Sequence, residues 1–511
     1  MQVKLVGKNN VGFSILEIVI ALALLMIFIV GAVEAIAGTQ YWRLTSVTAK
    51  EALEINQVLL EKIRAESLVN FESASTTNWQ PSKDGESPAD SVCRLGGFCY
   101  YKQIQVTDIS TCAKSLQVNV SWRLGARYPT STIATPSYLK NTTEIIARGG
   151  DCLIESPTGN WLTSHPQLVG KIDTPPQKRA SFDVFQNYIY VVSTSSMSRL
   201  NIYSKPTVVG ENPVLVGSSS GANILLNAID VVRDMGTGRI YAYVMQHAST
   251  SQLGVFDVTD ATNPILITER TLDGVDSTRS FPQGWRVMAY GERLYAVTRE
   301  TAGQELHIFS ISDPRNPVEI ISARKQLNRT VNDMTVREQM VDGSLHRYLF
   351  LAAMAGSKEL EIVEVTNNVS TTSRVVNLAG EEDALSLHLQ GDNLYLGREK
   401  NSGPELYLFS VTALLNGSIT PSAVSEVGAN VHTIEGSGKV IFLGTNQTNA
   451  QFQVWHANTE TWSATTAGTG RVTDMAVLGL APLGIEISEN YVYLLTQSAT
   501  QQETLSVIYA P

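Results

Sequence analysis

The sequence has few cysteines, no second long apolar run and no cluster of basic residues. Its 511 residues include four cysteines, 38 basic and 48 acidic residues, and carry a formal net charge of −10. Because the basic residues are scattered over an acidic chain, the sequence predicts no nucleic-acid surface. A spanning helix needs about 20 apolar residues, and only the first 40 residues contain such a run, so one membrane segment at most is expected.

Recognisable catalytic and cofactor motifs are also missing. The sequence contains no nucleophile elbow between a strand and a helix and no phosphate-binding loop. Its seven histidines are spread over residues 165–456, and no pair has metal-ligand spacing on one strand. The acidic stretches 257–260 and 381–383 lack the alternating pattern of a calcium loop, so turns or surface acids are the better interpretation. We therefore predict no enzyme activity, no cofactor and no metal site.

The most informative stretch begins at residue 12. A polar leader with two lysines precedes Gly12 and Phe13, and residues 18–33 contain no charged side chain. Glu17 stands near the start of this apolar run, where a charge costs about 2.5–3.5 kcal/mol if it is buried mid-membrane. Because the lysines precede the run, the sequence predicts a single-pass membrane protein with a cytoplasmic N-terminus and the rest of the chain outside.

This junction resembles the prepilin processing site of type IV pilins and type II secretion pseudopilins. The resemblance implies that a prepilin peptidase cuts after Gly12 and that Phe13 becomes N-methylated. It also implies that Glu17 pairs with the N-terminal amine of a neighbouring subunit, since two buried charges are tolerated as a pair. Ser14 stands where threonine is commonest in the family, and Glu34 adds a second acid. A plain signal anchor with a stray glutamate remains the alternative.

The next part of the chain is predicted to complete an α+β pilin module. Residues 13–72 are expected to form one long helix, followed by a small antiparallel sheet within residues 73–155. The helix carries an amphipathic stripe suited to packing on that sheet. The residues of the stripe are Ala52, Ile55, Leu59 and Ile63. The clearest strand is the alternation of Leu116, Val118, Val120 and Trp122.

All four cysteines lie in this module, at Cys93, Cys99, Cys112 and Cys152. An even number of cysteines in one exported module indicates a disulfide framework. Four cysteines permit three pairings and the sequence does not choose among them, although we favour Cys93–Cys99 with Cys112–Cys152. A metal site is the alternative, but the tight spacing of zinc ligands is missing.

After a predicted linker at 156–166, residues 167–511 are repetitive. A unit of two strands joined by a short polar loop recurs seven times, and its aromatic residues are about 45–55 residues apart, as in a β-propeller. These residues are Tyr190, Tyr241, Tyr295, Phe350, Tyr395, Phe442 and Tyr493. An Asn-Pro motif at Asn212, Asn263 and Asn316 predicts an outer strand in each of the first three units. A similar piece near Leu168 is expected to complete the seventh blade and close the ring.

Two phrases, at residues 256–264 and 309–317, resemble the LVIVD-type repeat of bacterial surface propellers. The expected fold is therefore a pilin module followed by an all-β seven-bladed propeller. The expected function is that of a minor, or tip-located, type IV pilin-like subunit that displays the propeller at the cell surface for adhesion or partner binding. Expected partners are the prepilin peptidase, other pilin subunits, the inner membrane and an unknown ligand of the propeller. The alternatives are a secretion pseudopilin, an anchored scaffold, and an enzyme with its site in the central pocket.

Overall fold

The structure is a computed structural model, and the chain in it forms two compact units. It describes residues 22, 24–26, 29–30, 47–64, 67, 91–93, 99–110, 113–122, 131–140, 160–173, 180–193, 199–220, 225–234, 236–248, 251–272, 283–341, 344–354, 358–400, 402–457, 459–477, 481–488, 491–497 and 503–511.

The first unit contains a helix over residues 47–64 and a four-stranded sheet. The strands follow chain order: β1 (Ser91–Cys93), β2 (Cys99–Ser110), β3 (Ala113–Trp122) and β4 (Ser131–Lys140). Ala52 is fully buried and packs with Tyr100, Val120 and Trp122. Asn56 of the helix donates from Nδ2 to a backbone carbonyl of β3 at 2.9 Å. The predicted packing of the amphipathic stripe on a sheet, and the predicted strand from Leu116 to Trp122, are therefore confirmed.

The long helix predicted for residues 13–72 is not shown among the described residues, where the longest continuous helical run is 47–64, and much of the predicted span lies outside them. Within the described residues, no helix is long and apolar enough to cross a membrane. The run at 47–64 fails because charged side chains such as Lys50, Glu54 and Lys62 recur along it. This finding corrects the single-pass membrane localisation expected from the sequence.

Within the described residues, the second unit contains seven four-stranded sheets. In six of them the strands lie side by side in chain order, and the seventh is completed by a strand from the start of the unit. The first strands are β6 (Ala180–Phe185), β10 (Leu225–Arg233), β14 (Gly284–Tyr290), β18 (Thr330–Val341), β22 (Ala384–Gln390), β26 (Val431–Ser437) and β30 (Ala481–Ser488). The second strands are β7 (Tyr188–Ser193), β11 (Ile240–His247), β15 (Arg293–Thr298), β19 (Ser344–Met354), β23 (Asn393–Arg398), β27 (Val440–Thr445) and β31 (Tyr491–Gln497).

The third strand of each sheet is the second strand that the repeat pattern predicted. The fourth strand forms the outer edge of the sheet. The third strands are β8 (Leu200–Ser204), β12 (Leu253–Asp257), β16 (Leu306–Ser310), β20 (Leu360–Thr366), β24 (Leu406–Ser410), β28 (Phe452–His456) and β32 (Glu503–Tyr509). The fourth strands are β9 (Val214–Ser218), β13 (Ile265–Arg270), β17 (Val318–Glu319), β21 (Val369–Val376), β25 (Ala423–Ser425), β29 (Arg471–Met475) and β5 (Gln167–Asp173). Short helices lie at Ile321–Ala323, Val411–Leu415 and Thr459–Thr461.

The sheets of this unit follow one another around a closed ring. Each first strand packs against the first strand of the next sheet, and β30 packs against β6. The seventh sheet is completed by β5, in which Leu168 lies opposite Ile508 of β32. The closing strand predicted near Leu168 is confirmed, and the predicted all-β, propeller-like domain is confirmed with it.

Burial on both faces explains the apolar composition of the second strands. In β11, every residue but the last is buried, because this strand has a neighbouring sheet on each side. Side chains of the first sheet, such as Tyr190 and Ile202, share one core with Val231 and Val244 of the second sheet. The aromatic residues predicted to anchor the repeats therefore lie between sheets.

Candidate functional site

The first strands of the seven sheets enclose a cavity of about 760 Å³ at the centre of the propeller-like unit. All seven of these strands contribute to its lining. A cavity of this size is within the range of ligand pockets in proteins. It is the candidate functional site of the unit.

One residue of each first strand lies opposite a buried aromatic residue of the second strand, at the same level of the cavity. We call these seven residues the central ring. Its members are Asp183, Asp230, Met288, Thr335, His388, Glu435 and Glu486. All seven line the cavity and all are partly exposed. In the second sheet, the aromatic residue opposite Asp230 is Tyr243. The sequence pattern marks Tyr241 as the aromatic residue of that repeat.

The carboxylates of the central ring are contiguous. Going around the ring, Glu435, Glu486, Asp183 and Asp230 stand on four successive first strands. His388 precedes them, with its Nδ1 at 3.2 Å from Glu435 Oε1. We call these four carboxylates the acidic arc. Low-dielectric walls around charges of one sign strengthen the local potential, so this side of the cavity attracts positive groups.

Some cavity carboxylates also join neighbouring sheets. Asp183 accepts a hydrogen bond from the backbone N–H of Val231 at 2.6 Å, and Asp230 accepts one in the same way from β14. Asp333, one level away, accepts from the N–H of Leu387 at 2.8 Å. Each of these contacts joins the first strands of two neighbouring sheets. The side chains that set the charge of the cavity therefore also hold the ring together.

Burial changes the protonation of two cavity residues. It raises the pKa of Asp333 from 3.8 to about 6, although the N–H of Leu387 and the charge of Arg286 act in the opposite direction. Burial also lowers the pKa of His432 below 6.5. Both shifts disfavour the charged form of the side chain, so burial makes Asp333 harder to ionise and His432 harder to protonate.

One side-chain pair in the cavity combines an imidazole with a carboxylate. The His388–Glu435 pair resembles a base with its orienting acid, but the free nitrogen of such a pair must reach a substrate. His388 Nε2 is buried and makes no hydrogen bond to any described residue. In the part of the chain that the structure describes, no group of three or more His, Cys, Asp or Glu side chains could hold a metal ion.

The predicted processing and assembly residues, Gly12, Phe13 and Glu17, lie outside the described residues, as do Cys112 and Cys152. Cys93 and Cys99 stand opposite each other across β1 and β2. Facing Cα atoms in an antiparallel pair are about 4.5–5.5 Å apart, which is within the range that a disulfide spans. The cysteine side chains themselves lie outside the described part of the structure, so both pairings stay predictions.

Sequence reasoning missed the central ring, although a signal for it exists. In five of the seven sheets the ring residue stands seven positions before the buried aromatic residue, as Asp183 does before Tyr190 and His388 before Tyr395. The longer strands of the second and fourth sheets change this offset. The alignment becomes visible only once strand register is known.

Comparison with known proteins adds little to this description. No family model matches the sequence, and no curated protein matches it. A solved structure titled "Crystal Structure of Mitotic Checkpoint Complex" is similar at 9% identity and a TM-score of 0.45, covering 70% of this chain and 96% of that chain. A similarity this weak carries no argument, and the propeller-like fold stands on the sheet topology described above.

Proposed function

We propose that the protein is a minor, or tip-located, type IV pilin-like subunit that carries a seven-bladed propeller for binding a partner. Cleavage after Gly12 would leave Phe13 as the methylated first residue. Glu17 would pair with the N-terminal amine of a neighbouring subunit. A domain of this size would crowd a filament if every subunit carried one, which favours a rare position.

The observation that carries the proposal is the helix at 47–64 packed on a four-stranded sheet, downstream of the Gly12–Phe13 junction. A bare anchor needs no such unit, whereas a pilin module consists of a helix and a small sheet. Tyr100 of β2 links the two elements, because its hydroxyl lies 2.8 Å from Glu51 Oε2. The facing positions of Cys93 and Cys99 support a disulfide in the same module.

The central cavity supports a binding role for the propeller. The acidic arc offers an opposite charge to a cationic group, such as a lysine or arginine side chain of a partner protein. Charge complementarity of this kind gives specificity and a faster encounter. No cofactor and no reaction are needed for this role.

Mass analysis of the N-terminal peptide tests the proposal. The protein would be isolated from sheared surface filaments of its native host. We expect a mature chain that begins at methylated Phe13, present in far fewer copies than the major subunit. A chain that still begins at Met1, or one that forms the main repeating subunit, would contradict it.

Substitution of Glu17 provides the second test. Glu17→Ala and Glu17→Gln should both keep the protein out of filaments, because each removes the charge that would pair with the neighbouring amine. Glu34→Gln is the matched control and should enter filaments normally. A pseudopilin of a secretion system is the alternative assembly, and it predicts that deletion of the protein impairs secretion instead of surface binding.

A further inference from the structure

The outer strand of the third sheet is the shortest in the ring. β17 contains only Val318 and Glu319, whereas β13 has six residues and β21 has eight. The chain beyond β17 returns to the sheet through a few backbone bonds, including a reciprocal pair between Leu306 and Lys325 at 3.0 Å. We call residues 318–325 the outer segment. Among the residues that the structure describes, only two ladder pairs and a few further backbone bonds join it to β16.

His307 of β16 supplies that attachment from a fully buried position. Its Nδ1 lies 2.7 Å from Glu319 Oε1, and its Nε2 lies 3.0 Å from the carbonyl oxygen of Gln304. A carboxylate and a carbonyl can only accept hydrogen bonds. A neutral imidazole has one N–H, so both contacts are hydrogen bonds only when His307 carries two ring protons.

Charged groups around His307 fix the sign of this effect. Arg324 binds Glu319 through two nitrogens, at 2.7 and 2.6 Å. Burial alone would raise the pKa of Glu319, but the hydrogen bonds from His307 and Arg324 bring it below 4.5. On the other side, β15 places the apolar Ala296 opposite His307. Glu319 thus remains an ionised acceptor from pH 5 upward.

We propose that His307 is a pH-sensitive latch for the outer segment of the third sheet. Doubly protonated His307 donates to both Glu319 and Gln304 and holds the segment on β16. Loss of one proton leaves one acceptor without its donor and removes the positive charge of the imidazole, so any remaining bond to Glu319 is no longer charge-assisted and attachment weakens as the pH rises. The segment carries the exposed apolar side chains of Val318 and Ile321. Both side chains move with the segment when it is released, which changes the apolar surface at the outer edge of the third sheet.

Hydrogen exchange on the full chain tests the latch between pH 5 and 9, with rates corrected for the intrinsic effect of pH. The reporters are the amides of Ile320 and Lys325, which donate to Ile308 and Leu306. We expect their protection to fall about tenfold or more from acid to alkaline pH, since hydrogen bonds to charged groups are the stronger kind. The amides of β13 should keep constant protection.

Nitrogen-15 spectra of the histidine rings locate the titration. The fall in protection should follow the pH at which His307 loses its second ring proton. In His307→Gln the protection of the outer segment should be independent of pH. The matched control is His346→Gln, because His346 also contacts a carboxylate, Glu364 at 2.6 Å, but lies between long strands.

Two results would overturn the proposal. One is a His307 ring that titrates while the protection of Ile320 and Lys325 stays constant. The other is the same pH dependence in wild type and His307→Gln. If His307→Gln does not fold, the wild-type spectra and exchange rates still show whether the protection of the outer segment follows the protonation of His307.

Discussion

At the scale of single residues, a buried acid or amide precedes the third strand in several sheets and joins it to the chain that leads into the next sheet. Glu305 Oε2 accepts from the N–H of Leu327 at 2.7 Å, and its Oε1 accepts from Thr301. In their own sheets, Gln252 and Gln451 each accept the corresponding backbone hydrogen bond with their single side-chain amide oxygen. The position needs an acceptor, and a negative charge is not essential there.

This comparison predicts the effect of changing Glu305. Glu305→Leu should lower the free energy of unfolding by about 2–4 kcal/mol, because at least two buried N–H groups lose their acceptor. Glu305→Gln should cost much less, since glutamine serves in two other sheets. Urea unfolding of the three proteins measures the difference. Equal losses for leucine and glutamine would contradict the inference that an uncharged acceptor is sufficient at this position.

Asp333 leads to a prediction about pH. Its pKa is raised from 3.8 to about 6 in the folded protein, chiefly by burial. The folded state therefore binds this proton more tightly than the unfolded state does. Its contribution to stability is fully present below pH 3.8 and is lost as the pH rises to about 6. Asp333→Asn should remove this part of the pH dependence.

The check is the difference in unfolding free energy between wild type and Asp333→Asn, measured by urea at several values between pH 4 and 7. The difference should change in favour of the variant as the pH rises. Asp260→Asn is a suitable control because hydrogen bonds from Thr262 lower the pKa of the exposed Asp260, which gives the opposite sign. Parallel curves for wild type and Asp333→Asn would refute the assignment.

At the scale of the strand, two outer strands carry a glycine at the same register position. Gly217 of β9 lies opposite Ile202, and Gly170 of β5 lies opposite Val507. A methyl group at Gly217 would clash with the carbonyl oxygen of Ala261 in the next sheet. A methyl group at Gly170 would stand 2.6 Å from a backbone oxygen of the first sheet. Close packing between sheets therefore excludes a side chain there.

Gly217→Ala should destabilise the protein by about 1–3 kcal/mol, the usual cost of overpacking a filled site. Gly236→Ala is the matched control, because its methyl group would meet only the side chain of Asp234 at 3.4 Å. Thermal unfolding of both variants measures the difference. A loss at Gly236 as large as that at Gly217 would point to a general effect of replacing glycine.

The strands themselves were predictable because hydrophobic pattern and repeat period act along the chain. The piece Pro166–Gly170 and the piece Pro213–Gly217 share the order Leu-Val-Gly, and this likeness correctly indicated that β5 closes the ring. The central ring was not predictable in the same way. Its members share a register position but not a residue type, and Asp183, Met288 and His388 look unrelated until the strands are paired.

At the scale of the whole molecule, the acidic arc predicts how the propeller responds to charged partners. A lysine oligopeptide should bind the full chain more weakly as salt is added, because screening reduces the attraction. The double variant Glu435→Gln, Glu486→Gln should weaken binding about tenfold or more, if each lost charge contributes on the order of 1 kcal/mol. Isothermal titration calorimetry measures both effects.

The control for this experiment is Thr335→Ser, which changes the central ring without changing its charge. It should bind the peptide like the wild type. Equal affinity of the double variant and wild type, or binding that ignores salt, would contradict a role for the acidic arc. Binding to the first unit alone would do the same, since that unit does not contain the cavity.

The closure of the ring by β5 and β32 has a consequence for synthesis on the ribosome. β5 ends at Asp173 and its partner begins at Glu503, so the partner emerges 330 residues later. At about 5–20 residues per second, β5 waits roughly 15–65 seconds with its edge open. The first six sheets can pair as they emerge, while the seventh must stay incomplete until the strand Glu503–Tyr509 has been synthesised. During that interval the unpaired edge of β5 is a template on which another chain could pair.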